Sequence, residues 1–284
     1  MTRPILLTAA ALLLFVSHAV SQRDFSSVEF KTVHVAGNIH MLDSGIAGNI
    51  GLLVGDDGIL MIDDQFAPLA GKIRAATAKI SDGKLKFLVN THWHGDHTGG
   101  NGIFGKETTI VAHTNVRKRL SAEQSGAALP VVTYGHSVSL HMNGEDVEIV
   151  HFPKGHTDGD SILFFKKSNV VHMGDHFFAG RFPYIDLGSG GNVQGYMDNV
   201  KKVIDRSPSD VKIIPGHGPL STLDDLKEFH VMMVKTTAAV RDHMKAGKSL
   251  EEIQKAGLAS EWKDWGGGFI NQDRWIEIVY NSYS

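Results

Sequence analysis

The sequence predicts a layered α/β protein in which helices cover β-sheets. Apolar stretches with the two-residue alternation of strands precede stretches with helical spacing, and this order occurs in both halves of the chain. Several histidines and aspartates directly follow an apolar strand-like run. The chain has 284 residues, of which 42% are hydrophobic, and this is enough for one large domain or two small ones with a substantial core.

The first half begins with strands and continues with helices. Residues 29–45 alternate loosely between polar and apolar positions. In residues 49–65 two apolar runs flank the turn sequence Asp56-Asp57-Gly58, which predicts a hairpin. The next predicted elements are a helix, a buried strand and a second helix, over residues 68–80, 84–92 and 113–124.

The second half repeats this order. Asn143-Gly144 separates two strand-like arms in residues 137–153, and residues 161–175 contain a second pair of arms. A helix, a strand that runs into a loop, and a long helix are then predicted over residues 192–207, 211–219 and 222–247. The C-terminal sequence "FINQDRWIEIVYNSY" is amphipathic and predicts a last helix.

Residues 1–21 have the pattern of a signal peptide. Arg3 precedes an apolar run at 5–16, and small residues follow, with cleavage predicted after Ser21. The run is too short to span a bilayer comfortably, although an uncleaved anchor is the alternative interpretation. We therefore expect residues 22–284 to form a single periplasmic or secreted domain without stable membrane insertion.

Composition restricts the possible partners and metal ligands. The formal net charge is −3 with neutral histidines, and the basic residues are scattered, with the densest cluster at 116–120. Because nucleic-acid binding needs a concentrated basic surface, we expect a small-molecule substrate instead. The chain has no cysteine, so it has no disulfide and any metal must be held by nitrogen and oxygen.

The stretch "THWHGDHTGG" contains four residues of types that bind metals, and it follows a predicted strand. His92 and His94 are two positions apart, so their side chains point the same way in an extended segment. Gly95 allows a sharp turn before Asp96 and His97. Four possible ligands can therefore converge from one loop, whereas the spacing does not suit the helix of an HEXXH motif.

Three further candidates occur in the same context, after an apolar run and beside glycine: His156, Asp175 and His217. Imidazole-rich sites suit zinc, and also iron, manganese or nickel. A single catalytic zinc takes three protein ligands and a water. Seven ligands are too many for one metal, and they suit two metals that share a carboxylate.

In order along the chain, "HWHGDH", "GHTDGD", "GD" at 174–175 and "PGHG" resemble the signature of the metallo-β-lactamase superfamily. The resemblance implies an αββα sandwich of two similar halves, with a dinuclear metal site at one edge. It also implies the ligands: His92, His94 and His156 for the first metal, Asp96, His97 and His217 for the second, and Asp175 as the bridge. Two Zn²⁺ ions are expected, and iron or manganese is not excluded.

In its length and predicted export the chain resembles class B β-lactamases, whereas its aspartate at position 175 matches the ligand set of glyoxalase II. The first interpretation is therefore β-lactam ring opening in the periplasm. The alternatives are hydrolysis of lactones or thioesters and an iron-dependent, sulfur dioxygenase-like oxidoreductase. Residues 248–284 are short for the C-terminal helical substrate domain of glyoxalase II.

The resemblance implies that a zinc-bound hydroxide attacks a carbonyl, with Asp96 orienting the nucleophile and relaying its proton. The loop at 43–49 is expected to cover the site, and Tyr184 and Asn192 are candidate substrate contacts. The predicted apolar wall consists of Trp93, Phe177 and Phe178. Thr91, Thr157 and Asp158 are the candidates for orienting the ligand histidines.

Overall fold

The computed structural model describes residues 24–284, so the predicted signal peptide lies outside the described part of the chain. Two β-sheets form the centre. The first sheet contains β1 (Lys31–Ala36), β2 (Ile39–Asp43), β3 (Ile50–Leu53), β4 (Ile59–Ile62), β5 (Leu85–Asn90), β6 (Thr109–His113) and β7 (Val132–Tyr134). The second contains β8 (Ser137–Met142), β9 (Glu145–His151), β10 (Ser161–Phe165), β11 (Val170–His172), β12 (Lys212–Ile214) and β13 (Ser221–Thr222).

The strands of the first sheet follow chain order from β1 to β7. β1 to β4 pair antiparallel, and β4 to β7 pair parallel. The second sheet has the order β13-β12-β11-β10-β9-β8, in which only β11 and β12 are parallel. The carboxyl ends of the parallel strands lie where ligand-binding loops gather in α/β folds.

Helices cover the outer face of each sheet. The α-helices within residues 24–284 are α1 (Ala70–Ala78), α2 (Gly95–Thr98), α3 (Asn101–Phe104), α4 (Thr114–Leu120), α5 (Val193–Arg206), α6 (Leu223–Lys245), α7 (Leu250–Ala256) and α8 (Gln272–Tyr283). Short 3₁₀ segments include Gly174–His176 and Ser260–Gly267.

The alternation of side chains along the strands creates the layers. In β4, Leu60 and Ile62 join the core between the two sheets, while Ile59 and Met61 pack with α1 and α3 on the outer face. β10 alternates in the same way between the central core and the layer formed by α5, α6 and α8. The result is an αββα sandwich, as the sequence predicts.

Most predicted elements are confirmed. The hairpin at 49–65 forms as β3 and β4, and the turn at Asn143-Gly144 joins β8 to β9 with positive φ at both residues. The C-terminal helix forms as α8, as predicted. Other features were not predicted: the histidine-rich segment contains the helical turn α2 rather than loop alone, the first sheet includes β6 and β7, and α7 and a 3₁₀ segment precede α8. The division into a leader and a single domain stays a prediction.

Candidate metal centre

The seven predicted ligands come together at one edge of the sandwich. His92 and His94 follow β5, and Asp96 and His97 lie in α2. The other three lie in the second half: His156 between β9 and β10, Asp175 in the 3₁₀ turn after β11, and His217 between β12 and β13. The potential ligand atoms form two groups, and those within each group all lie within 4.8 Å of one another.

The first group contains three histidines and Asp175. Nδ1 of His94 lies 3.1 Å from Nε2 of His92 and 2.8 Å from Nε2 of His156. Oδ2 of Asp175 lies 3.4 Å from Nε2 of His156 and 3.8 Å from Nε2 of His92. Three imidazole nitrogens and one carboxylate oxygen therefore face a common point, as zinc ligands do.

The second group uses the other oxygen of Asp175. Oδ1 lies 3.1 Å from Nε2 of His97 and 3.4 Å from Nε2 of His217. Oδ2 of Asp96 lies 3.6 Å from Nε2 of His97 and 3.4 Å from Nε2 of His217. Asp175 therefore stands between the groups, with one carboxylate oxygen toward each.

Asp63 orients His97 from behind. Its Oδ2 lies 2.8 Å from Nδ1 of His97, and its carboxylate also accepts hydrogen bonds from the backbone N–H and hydroxyl of Thr91. The fully buried Asp63 follows β4 with φ +61°. Few residue types adopt this backbone conformation readily, and Asp and Asn are among them.

Two other ligand histidines have comparable partners. Nε2 of His94 lies 3.0 Å from Oδ2 of Asp186, and Nδ1 of His156 lies 2.7 Å from the carbonyl oxygen of Tyr184. An N–H placed toward each oxygen leaves the other ring nitrogen of each imidazole with its lone pair toward the centre. These contacts therefore fix the nitrogen that can bind a metal.

The residues fit a pair of cations. Nε2 of His97 and Oδ1 of Asp175 are buried and lie 3.1 Å apart, but neither atom has a hydrogen bond of good geometry in the described part of the chain. Leaving a buried polar atom unsatisfied costs about 1–3 kcal/mol, and a cation between these two atoms would remove that cost. Imidazole nitrogen and carboxylate oxygen are ordinary zinc ligands.

The electrostatics keep two of the ligand histidines neutral and one protonated. Burial lowers the pKa of His156 to about 4 and that of His92 well below its usual range, so both are neutral at pH 7. Burial also lowers the pKa of His97, but the carboxylates of Asp175 and Asp96 outweigh it and hold the pKa well above its usual range. Metal binding must therefore displace a proton from His97.

Asp175 remains a carboxylate despite its burial. Burial would raise its pKa, but the facing histidines, led by His97 and His217, hold the pKa well below its usual range. An anion with both oxygens available is what a bridging ligand requires.

A cavity of about 740 Å³ opens over the centre. Its floor includes His94, Asp96, Asp175 and His217, and its walls include Ile46, Trp93, Phe178, Arg181, Tyr184 and Phe269. A small organic molecule would fit in such a volume. The loop at 43–49 reaches this cavity through Gly45 and Ile46, as expected from the sequence.

One predicted substrate contact, Asn192, and one predicted wall residue, Phe177, do not line the cavity. Asn192 does not line the cavity; its side chain accepts a hydrogen bond from the backbone N–H of Gly195 and caps α5. Phe177 is fully buried and packs against Phe229 with ring centroids 5.1 Å apart. Tyr184 does line the cavity.

The orienting residues were predicted only in part. Thr91 contacts His92, with its Oγ1 3.1 Å from Nδ1 of the ring. The side chain of Thr157 instead bonds Asp160, and Asp158 pairs with Arg119. Asp63 and Asp186 were not among the site residues predicted from the sequence. Asp63 follows an apolar strand, the signal that identified other site residues, whereas Asp186 has no such signal.

Comparisons with known proteins identify the family. The profile of the metallo-beta-lactamase superfamily matches residues 44–217. A metallo-beta-lactamase type 2 from Bacteroides fragilis is 22% identical over 181 residues, which are 58% of this chain and 70% of that protein. A hydroxyacylglutathione hydrolase from Nitrosococcus oceani is 29% identical over 154 residues, which are 53% of this chain and 55% of that protein.

Solved structures share the fold. A metallo-beta-lactamase from Pontibacter korlensis has a TM-score of 0.64 at 15% identity, over 72% of this chain and 99% of that chain. A double mutant of the sec-alkyl sulfatase PisA1 has a TM-score of 0.71 at 15% identity, over 90% of this chain and 50% of that chain.

The chain belongs to the metallo-beta-lactamase superfamily. It is a hydrolase of that superfamily with a candidate metal-binding cluster of histidines and aspartates. Within residues 24–284, none of the helices combines the length and the hydropathy that a membrane crossing needs.

Proposed function

We propose that this protein is a dinuclear zinc hydrolase that cleaves an acyl bond in a small molecule. The observation that supports this most directly is the placement of Asp175, whose two oxygens face two separate groups of ligand atoms. A carboxylate in this position is suited to join two cations about 3.5–4 Å apart, the spacing of dinuclear hydrolytic sites.

Zinc, when bound, would activate a water near neutral pH and polarise the scissile carbonyl. Asp96 lies on the floor of the cavity with 29% of its side chain exposed, so it can reach both water and substrate. It would orient the attacking water, accept its proton and pass that proton to the leaving atom. Trp93 and Phe178 line the cavity beside the centre and would exclude bulk water from a bound substrate.

Thioesters and lactones are the substrate class that we put first. The hydroxyacylglutathione hydrolase from Nitrosococcus oceani has the higher identity over its aligned residues, 29% against 22% for the β-lactamase from Bacteroides fragilis. Asp175 also favours thioesters and lactones, because it is the residue on which the resemblance to glyoxalase II rests.

β-Lactam ring opening is the second candidate. The match to the Bacteroides β-lactamase extends over 70% of that protein, a larger share than the 55% for the hydroxyacylglutathione hydrolase. Both reactions add water to a carbonyl and expel a leaving group, so the same centre would serve either one.

We also propose export, because residues 1–21 have the pattern of a cleavable signal peptide. Expression of the full chain in a Gram-negative host, followed by N-terminal sequencing of the periplasmic protein, tests this. Cleavage after Ser21 is expected, and an intact N-terminus in the cytoplasmic fraction would reject the proposal.

The decisive experiment is a hydrolysis panel of thioesters, lactones and β-lactams, with metal content measured on the same sample. We expect about two zinc ions per chain and the highest kcat/KM on a thioester or lactone. An Asp96→Asn variant should lose about 10²- to 10⁴-fold in kcat, the usual contribution of a proton-transferring side chain. Asp158→Asn, which changes an aspartate outside the centre, is the control and should retain activity.

Each other outcome has a defined meaning. Turnover of β-lactams alone favours the second candidate over the first. Iron without zinc, together with oxygen consumption, would support the oxidoreductase interpretation and reject the hydrolase. Full activity of Asp96→Asn would reject the role of this carboxylate.

A further inference from the structure

We propose that the C-terminal loop over residues 266–270 is a substrate-binding wall, and that Phe269 binds an apolar group of the substrate. This inference rests on the proposed hydrolase function and specifies its substrate class. Phe269 follows three glycines and is 86% exposed, although it is a large aromatic residue. Its ring lines the cavity over the metal centre.

The base of this loop is fixed, and Phe269 stands out from it. The backbone N–H of Phe182 donates to the carbonyl of Trp265 at 2.9 Å, just before the loop. Ile270, directly after Phe269, is only 2% exposed, and Asn271 then caps α8. The ring is therefore held at the cavity by anchored neighbours on both sides.

Phe269 and its neighbours form an apolar surface that is open on one side, where a ligand could bind. Its ring and that of Tyr184 have centroids 6.3 Å apart in an edge-to-face arrangement. Ile46, which is 44% exposed, lines the same cavity. An apolar substrate group that enters the cavity would cover these three side chains and remove their apolar surface from water.

Arg181 adds one cation beside the wall. A β-carbon at Gly268 would lie 3.0 Å from Cδ of Arg181, so the arginine stem packs directly under the loop. Arg181 is the one arginine or lysine among the residues that line the cavity. Within residues 24–284 its guanidinium has no ion-pair partner, which leaves it available to a carboxylate.

These features define a substrate with an apolar group and a carboxylate near the bond that is cleaved. The matched family region ends at residue 217, so residues 266–270 lie outside the part of the chain that the family resemblance covers. The short C-terminal segment is thus assigned a role in specificity as well as in packing.

Kinetic measurements with thioesters of different acyl chain length test the proposed substrate-binding wall. We expect Phe269→Ala to lower the ratio of kcat/KM for hexanoyl over acetyl thioesters roughly tenfold, from the lost burial of an apolar group against the ring. The effect should lie mainly in KM, and Phe269→Leu should restore part of the ratio. Val131→Ala is the control, because Val131 is also exposed, at 70%, but does not line the cavity.

Binding of 4-phenylbutyrate to metal-free protein provides a readout that does not depend on hydrolysis. Isothermal titration should show weaker binding to Phe269→Ala and to Arg181→Gln than to wild-type protein or Val131→Ala. If no substrate of the hydrolysis panel is cleaved but the two variants bind the probe more weakly, the proposed reaction is wrong and the role of residues 266–270 in binding is supported. If hydrolysis occurs but Phe269→Ala changes neither the acyl ratio nor the binding, the wall is wrong. Failure of the wild-type protein to bind the probe at millimolar concentration would also overturn it.

Discussion

Asp63 positions a candidate metal ligand from outside the candidate metal centre. Its carboxylate accepts from Nδ1 of His97 and from Thr91, so it positions both a ligand and the chain that leads to the ligand loop. The fully buried carboxylate occupies a backbone conformation with φ +61°. Uncommon backbone conformations of this kind persist where the surrounding structure enforces them, often at a functional site.

Asp63→Asn should weaken zinc binding about 10- to 100-fold, the usual effect of changing a residue that orients a metal-bound histidine. Asparagine also tolerates positive φ, so the fold should be retained. Competition with a chromophoric chelator measures the affinity. Asp56→Asn removes the same charge at an exposed site and is the control; equal affinity of the two variants would contradict the role of Asp63.

His113 lies away from the metal centre, and its protonation affects the stability of the fold. Its ring stacks on His151 with centroids 3.7 Å apart, and it caps α4 by accepting from the backbone N–H of Asn115. Burial, then the neighbouring His151, lower its pKa to about 4, against the opposite effects of the hydrogen bond to the Gly135 carbonyl and of Asp158. The neutral form is therefore the one that the fold accommodates.

The unfolded chain, with a histidine pKa of about 6.5, binds a proton between pH 6.5 and 4 where folded His113 does not. The contribution of His113 to the free energy of unfolding therefore falls as the pH drops through this range. His113→Asn keeps a capping side chain and removes this titration. Denaturant unfolding at neutral pH and at about pH 4.5 should show that the variant gains stability relative to wild type on acidification. A difference that does not change with pH would contradict the assignment.

At the scale of elements, helix α6 supports the loop that carries His217. Thr222 and Asp225 form a capping box: Oγ1 of Thr222 accepts from the N–H of Asp225, and the Asp225 carboxylate accepts from the N–H of Thr222. On the other side of the loop, the side chain of Asn49 donates to the carbonyls of Pro215 and Gly218. The loop is thus held at both ends.

Thr222→Ala should lower the free energy of unfolding by about 1 kcal/mol, because one helical N–H loses its side-chain acceptor. Thr222→Ser retains the hydroxyl and should stay close to wild type. Denaturant unfolding of the metal-free proteins measures both. Equal loss in the two variants would show that the methyl group, not the cap, is responsible.

At the scale of the whole molecule, the candidate metal centre joins the two halves of the sandwich. His92, His94, Asp96 and His97 come from the first half, whereas the remaining ligands follow strands of the second sheet. The two sheets also share one apolar core. A cation bound between the halves would add to that core by satisfying buried atoms that have no hydrogen-bond partner.

Removal of metal should therefore lower Tm. A ligand that binds only the folded state at 100 times its Kd stabilises that state by about 2.7 kcal/mol. Thermal unfolding of chelator-treated protein, with and without added zinc, measures the shift, and its size should increase with free zinc concentration. Asp175→Asn should lose most of the shift. An identical Tm with and without zinc would contradict metal binding at this centre.

Much of the fold is encoded in local sequence and was therefore predictable. Apolar runs or alternating apolar residues mark most of the strands, turn residues such as Asn143 and Gly144 mark the hairpins, and helical spacing marks α5 and α6. The metal-ligand candidates were also predictable, because they share one context after an apolar strand. Asp63 has the same context, and applying the rule to β4 would have found it.

Contacts between distant segments were decided only by the tertiary structure. Asp186 lies 92 residues from His94, and Phe269 reaches the cavity because α8 packs on the helical layer of the second half. Tyr184 and Asn192 look alike in the sequence as loop residues, yet one lines the cavity and the other caps a helix. Periodicity and turn chemistry are properties of neighbouring residues, so the sequence alone determined the elements and the ligand types. Which side chains meet depends on how the two sheets and their helices close on each other, and only the folded chain defines that closure.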